Sequence, residues 1–119
     1  MTMTTEDIQL ARALMPDMAM TEIAEKLEVS LCCLAYAVLD CDFQMPESVF
    51  RKRLKRGAIR LTEFDIERLC IRCDEYLPFT EEFWHKANRN QDGAHTHCRA
   101  CELERKAELR ATMKRAVTQ

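Results

Sequence analysis

Glycine and proline are scarce in this chain of 119 residues, which contains two glycines and three prolines. Because these residues supply many tight turns, their scarcity predicts a largely helical chain. Long hydrophobic runs are also missing: the longest uncharged stretch, 29–39, is well short of the ~20 residues that a helix needs to cross a bilayer. The first residues have no basic region and no apolar core. We therefore expect no secretory signal, no membrane partner and a cytoplasmic location.

Cysteine is abundant by contrast, and the chain has seven. An odd number without a secretory signal favours a reducing compartment, with metal-bound or buried thiols rather than disulfides. Three of them, Cys32, Cys33 and Cys41, are interpreted as small buried hydrophobic residues, with a second metal site as the open alternative.

Hydrophobic spacing predicts helices over 5–14, 21–27, 30–39, 47–56 and 101–116, with Thr5 as the first N-cap. The stretch 61–69 is ambiguous between a short helix and an extended segment. We expect a mainly α fold in which a small helix-turn-helix-like bundle precedes a Cys₄ zinc-ribbon or zinc-finger module and a C-terminal helix. The expected domains are residues 1–61, which include a basic helix, and residues 62–119, which hold the zinc module.

Two CxxC pairs separated by 24 residues are the most specific motif. Each pair supplies two thiolates from one tight turn, and two such pairs complete a closed tetrahedral site for one structural Zn²⁺. A site in which His95 or His97 replaces one cysteine remains an alternative. The predicted metal ligands are Cys70, Cys73, Cys98 and Cys101.

The two CxxC pairs, the Pro78-Phe79-x-x-x-Phe83 stretch and the Asp92-Gly93 turn together resemble a zinc-ribbon module of phage and bacterial proteins. That module often precedes the nuclease core of HNH and recombination-endonuclease-VII-like proteins, and the likeness covers roughly residues 69–106. In the family, a core carrying His and Asn or Asp follows the module. Only eighteen residues follow Cys101, and none is of these types. The resemblance therefore implies a recognition or scaffold element, and we expect no enzymatic activity.

The segment 20–34 resembles a helix-turn-helix, with the small Ala24 between the helices and Leu27 closing the first. Glu28 occupies the turn position where glycine is usual, so a left-handed backbone there carries a cost. The second helix has no Arg, Lys, Asn or Gln to read base edges, and the alternative is a small bundle whose third helix is simply buried. A further interpretation is that its apolar face contacts a protein partner through Leu31, Tyr36 and Leu39.

Charge is distributed in blocks along the chain. Residues 1–47 contain nine acids and two bases, whereas residues 48–61 contain six bases and no acid. On a helix, Arg53 and Arg56 are expected to lie with Lys52 along one side, which favours contact with phosphates. The predicted nucleic-acid contacts are Arg51, Lys52, Arg53, Lys55, Arg56 and Arg60, the CxxC residues Arg72 and Arg99, and Arg105 and Lys106 of the last helix.

Together these features predict a small zinc-binding transcription regulator of phage type, acting in the cytoplasm of a bacterial host. Its basic helix and zinc module are expected to contact promoter DNA, and its acidic bundle to contact RNA polymerase or an accessory protein. The alternative is an interaction inhibitor or adaptor that uses zinc only structurally and binds no DNA. A degenerate HNH-like nuclease is the third hypothesis.

Overall fold

The computed structural model describes residues 3–117, with side chains up to residue 114. The described chain contains five helices and five strands. The elements are α1 (Thr5–Leu14), α2 (Met20–Leu27), α3 (Leu31–Val38), α4 (Glu47–Arg56), β1 (Ile59–Leu61), β2 (Ile66–Leu69), β3 (Tyr76–Pro78), β4 (Trp84–Lys86), β5 (Ala94–Cys98) and α5 (Arg99–Val117). No described helix combines the length and the apolar character needed to cross a membrane.

The strands form two small antiparallel sheets, one with the order β1-β2-β3 and the other the hairpin β4-β5. The fold therefore combines helices with sheets, and the expectation of a mainly α chain left these sheets out. Each strand is only three to five residues long, which is too short for an alternating pattern to stand out in the sequence. The ambiguous stretch 61–69 consists of the last residue of β1, the loop after it and strand β2.

The helices begin and end near the expected residues because local capping fixes them. The first N-cap is Thr4, one residue before the predicted Thr5, and Asp7 completes a reciprocal capping box with it. Ser30 caps α3 through the backbone N–H of Cys33 at 3.1 Å. Glu28 follows α2 with φ of 57°, which is the left-handed conformation that the sequence predicted to be costly there.

Helices α1, α2 and α3 pack around a small core that contains Ala11, Ile23 and Leu34. Ala24 is buried in this core, as its small size between two helices suggested. The assignment of α2 and α3 as a DNA-reading helix-turn-helix stays a prediction.

A larger core extends from α3 to α5 and contains Phe50, Ile66, Phe79 and Trp84, all almost fully buried. Strand β1 lies at the end of the expected first domain and pairs with β2 of the expected second domain. The division at residue 61 stays a prediction, while the packing places α4 directly against the sheet that leads to the first CxxC pair.

Candidate metal centre and nucleic-acid interface

The first CxxC pair forms a tight turn at the end of β2. The backbone N–H of Asp74 donates to the carbonyl oxygen of Cys70 at 2.9 Å, and Asp74 has φ of 57°. The backbone N–H of Cys70 donates to the carbonyl oxygen of Glu75, also at 2.9 Å. These bonds turn the chain back on itself, so that the Cys70 and Cys73 thiols come together.

The second pair lies where β5 ends and α5 begins. Cys98 is the last residue of β5, and Cys101 lies in the first turn of α5. The backbone N–H of Cys98 points to Sγ of Cys70 at 3.4 Å. The change from strand to helix between the two cysteines therefore aims both thiols at the first pair.

The geometry of the four thiols fits a tetrahedral metal ion. All four Sγ atoms lie within 4.8 Å of one another, and those of Cys70 and Cys101 are 3.7 Å apart. Thiolates about 2.3 Å from a tetrahedral zinc are separated by about 3.8 Å. All seven cysteines of the chain are free of disulfides. The predicted ligands Cys70, Cys73, Cys98 and Cys101 are thus brought together at a site that can hold one metal ion.

The thiols differ in how readily they ionise without a metal. Burial opposes ionisation of Cys70, but the backbone N–H groups of Cys98, Cys73 and Arg72 together lower its pKa to about 6. Burial raises the pKa of Cys101, and the neighbouring sulfur atoms raise it further. One thiolate is therefore favoured at neutral pH before a metal arrives, and metal binding completes the deprotonation of the others.

The arginines within the two CxxC motifs, Arg72 and Arg99, form hydrogen bonds with other parts of the protein. The Arg72 guanidinium donates to the carbonyl oxygen of Cys101 at 2.5 Å and to Oε1 of Glu108 at 3.0 Å. Arg99 donates to the carbonyl oxygen of Glu81 at 2.6 Å. Both were predicted to contact nucleic acid, yet their protein partners already occupy donors on each guanidinium.

Helix α4 presents one basic face and one anchored face. The 3.6-residue period places its bases at 51, 52, 55 and 56 on one side, and all four are exposed. Arg51 lies 3.6 Å from Glu47. Within the described residues, no ion pair involves Lys52, Lys55 or Arg56. Three adjacent cations are thus left without an acidic partner.

Arg53 lies at the edge of the basic face, because residues three apart on a helix are neighbours, but its side chain turns into the fold, unlike those of Lys52 and Arg56. Its guanidinium donates to Oδ2 of Asp92 at 2.5 Å, and its side chain is 16% exposed. Arg68 lies 3.4 Å from the same carboxylate oxygen and donates to the carbonyl oxygen of His95 at 2.8 Å. Arg68 also lies over the ring of Trp84 at 4.9 Å. Arg53 is therefore part of the packing between α4 and the β4-β5 hairpin.

Sequence reasoning missed Asp92 and Arg68 as members of this network. The Asp-Gly turn was the one local signal, and it predicts a turn in which an aspartate faces its own backbone. Asp92 does accept the N–H of Ala94 through Oδ1 at 3.0 Å, while its other oxygen, Oδ2, forms ion pairs with Arg53 and Arg68.

The remaining predicted nucleic-acid contacts are divided between paired and exposed side chains. Arg60 pairs with Glu67 at 2.5 Å and stacks over the ring of Tyr76. Arg105 donates to Glu102 at 2.6 Å. Lys106 is exposed and lines a cavity next to Arg105. Arg60 and Lys106 are nevertheless exposed.

The three residues predicted to contact a protein partner pack largely inside the protein. Leu39 is 6% exposed and belongs to the larger core. The Tyr36 hydroxyl donates to the carbonyl oxygen of Phe43 at 3.1 Å and accepts the N–H of Met45 at 2.8 Å. Leu31 is half-buried against the same core. The apolar character of α3 is thus used chiefly within the fold.

Cys32, Cys33 and Cys41 are half-buried, in keeping with their interpretation as small core residues. Burial raises the pKa of Cys41 to about 11, which keeps that thiol protonated at neutral pH. Within the described residues, these three cysteines are not among the side chains that come close enough together to hold a metal ion.

Comparison with known proteins gives one similarity. The chain is 44% identical over 39 residues to YoqL, an SPbeta prophage-derived candidate HNH endonuclease of Bacillus subtilis (strain 168). The match covers 33% of this chain and 17% of that protein. No protein-family model matches the chain, and no solved structure matches it. The chain thus shares a short segment with a prophage protein that is much longer than the matched region.

Proposed function

We propose that this chain is a zinc-stabilised nucleic-acid-binding protein that contacts the phosphate backbone through the exposed basic face of α4. The observation that carries the proposal is the set of three exposed cations on that face without an acidic partner: Lys52, Lys55 and Arg56. Cations clustered in this way release counterions from a nucleic acid when they bind phosphates. The four cysteines hold one structural zinc, since thiolates are preferred zinc ligands and the closed set leaves no position for substrate.

The way α4 is held supports this proposal. Phe50 is 1% exposed in the larger core, and Arg53 is tied to the buried Asp92. The basic face therefore sits on a helix whose opposite side is fixed to the sheet and to the β4-β5 hairpin. Phosphate contacts made from a rigid helix also set the register of a protein on its duplex.

The distribution of charge supports a regulatory role within the same proposal. The acid-rich residues 1–47 repel phosphate, so the N-terminal bundle suits a protein partner such as RNA polymerase or an accessory factor. Because Leu39 and Tyr36 are engaged internally, the partner surface is proposed to be the charged exterior of the bundle. A protein adaptor that uses zinc structurally and binds no DNA is the alternative.

The similarity to YoqL favours a nuclease as a second candidate function, because that protein is named for endonuclease activity. The matched segment is 17% of its length, so endonuclease activity of this chain is a hypothesis that needs an experiment of its own. A nuclease and a binding module differ in one simple readout: only the former converts supercoiled plasmid to nicked or linear product with Mg²⁺ or Mn²⁺.

The decisive experiment is titration of a fluorescent DNA duplex with zinc-loaded protein, without Mg²⁺. We expect the variant Lys52→Ala/Lys55→Ala/Arg56→Ala to bind at least tenfold more weakly than the wild type. The matched control Arg12→Ala/Lys26→Ala removes cations from the acidic bundle and should bind like the wild type. Equal binding by the triple variant contradicts the α4 interface, no binding by any of the proteins favours the adaptor, and cleavage in the plasmid assay favours the nuclease.

A further inference from the structure

A second group of metal-ligating side chains lies beside the four cysteines. His95 and His97 are two residues apart on β5, so the alternation of a strand places both on one face. Cys98 points to the opposite face, together with the buried Ala94. Glu102 lies in the first turn of α5, at the same junction of strand and helix. Two potential sites therefore share this junction, on opposite sides of the strand.

The ligand atoms of this second group are close together. One ligand atom each from His95, His97 and Glu102 lies within 4.8 Å of the others, and His95 Nε2 is 3.5 Å from Glu102 Oε2. Ligands about 2.1 Å from a tetrahedral ion are about 3.4 Å apart. The histidine–glutamate pair already has that separation, and the remaining ligand atoms need to move closer by at most about 1.4 Å to enclose an ion.

One atom of the group lacks a partner in the protein. Nδ1 of His97 is buried and has no hydrogen bond among the described residues. Buried polar atoms of native proteins are nearly always satisfied, so an orphaned ring nitrogen needs an explanation. Glu102 is 2% exposed, and Arg105 Nε donates mainly to its Oε1 at 2.6 Å. The second oxygen, Oε2, lies 3.4 Å from Arg105 Nε and 3.5 Å from His95 Nε2.

We propose that His95, His97 and Glu102 form a second metal site, separate from the four cysteines, for a divalent transition-metal ion of the Zn²⁺ class. Two imidazoles and one carboxylate suit such an ion, and three protein ligands leave one coordination position open. A cavity of about 300 Å³ adjoins His95 and Glu102 and is also lined by His85, Lys86 and Lys106. Its polar lining provides space for a water molecule as the fourth ligand.

The hydrogen bonding of His95 makes this site weaker than the cysteine site. The backbone N–H of His97 donates to His95 Nδ1 at 3.2 Å, which places the ring proton of neutral His95 on Nε2. Binding of a metal at Nε2 moves that proton to Nδ1 and breaks the bond from His97. The nearby cations Arg105, Lys86 and Lys106 add repulsion. The second ion is therefore expected to bind after the first and to be removed more easily.

The test starts from protein that already holds one equivalent of zinc, to which Co²⁺ is added before removal of unbound metal. Elemental analysis should find two metal ions per wild-type chain, and one in the variants His97→Gln and Glu102→Gln. The matched control His85→Gln removes an imidazole from the cavity but not from the ligand set, and it should retain two. The first zinc equivalent, kept by every variant, shows that each has folded.

A second measurement uses only the wild-type protein and needs no variant. The chain has three histidines, so their ring-proton NMR signals can be followed separately as paramagnetic Co²⁺ is added. We expect the largest shifts at His95 and His97. The inference is overturned if the wild type holds only one metal ion, if the glutamine variants bind as much as the wild type, or if His85 shifts most. None of these outcomes bears on the proposed nucleic-acid interface of α4, because duplex titration tests that interface separately.

Discussion

Arg53 of α4 donates a hydrogen bond to Asp92, a residue 39 positions further along the chain in the loop between β4 and β5. Asp92 is 3% exposed, so this contact buries a carboxylate against the guanidinium groups of Arg53 and Arg68. It joins the basic helix to the hairpin that carries Cys98 of the second CxxC pair. The orientation of the proposed nucleic-acid interface therefore depends on a contact within the fold.

Replacing Asp92 by alanine is expected to lower the free energy of unfolding by about 3 kcal/mol, because two largely buried arginines lose their counter-charge. Chemical denaturation of the zinc-loaded protein measures this change. Glu104→Ala removes an exposed carboxylate from α5 and should change the free energy by less than about 0.5 kcal/mol. A similar small effect of Asp92→Ala would show that the network contributes little to stability.

The left-handed residue after α2 predicts a stabilising substitution. Glu28 has φ of 57°, a conformation that glycine adopts without steric cost, so Glu28→Gly should stabilise the protein by about 0.5–1 kcal/mol. Glu25→Gly, in the interior of the same helix, should destabilise it by about 1 kcal/mol. Thermal unfolding of the two variants shows whether each is more or less stable than the wild type. Equal destabilisation of both would contradict the predicted cost of the left-handed backbone at Glu28.

Removal of zinc is expected to loosen the region around the four cysteines, because only a bound metal holds the thiolates of the two CxxC pairs together there. Trp84 reports on this event, since it is the one tryptophan of the chain, fully buried, and paired with Cys98 across β4 and β5. Chelation should shift its fluorescence to longer wavelength, and readdition of zinc should reverse the shift.

The same fluorescence signal distinguishes ligand cysteines from the others. Cys73→Ser should show the red-shifted emission even with zinc present, because the ligand set is then incomplete. Cys32→Ser should retain the emission and the metal content of the wild type, since Cys32 lies outside the cluster. Loss of zinc from both variants alike would argue against the assignment of the site.

Salt dependence tests how many phosphates the α4 face contacts. The slope of log affinity against log salt concentration changes by roughly 0.9 for each phosphate contact, so loss of three contacts should make it less steep by about 2.7. Duplex titrations of the wild type and of Lys52→Ala/Lys55→Ala/Arg56→Ala over a salt series measure this difference. Parallel slopes would place the contacts elsewhere on the protein.

The sequence by itself determined the helices and the cysteine cluster, because both depend on local information. Capping residues, the 3.6-residue period and the glycine at 57 define the helices to within one or two residues in most cases. A CxxC spacing brings two thiols into one turn, so two such motifs predict the four ligands without knowledge of the fold. The left-handed backbone at Glu28 was also predicted from the position of this residue in the turn alone.

Tertiary structure decided which charged and apolar side chains remain at the surface. Short strands, whose pairing depends on distant segments, were not visible in the sequence. Nothing in the sequence distinguishes Arg53 from Arg56, but in the folded protein Arg53 pairs with Asp92 from the loop between β4 and β5. Leu39 was predicted to contact a protein partner, and it is instead buried in the larger core. A side chain's burial depends on residues far along the chain, and the folded packing brings those residues together.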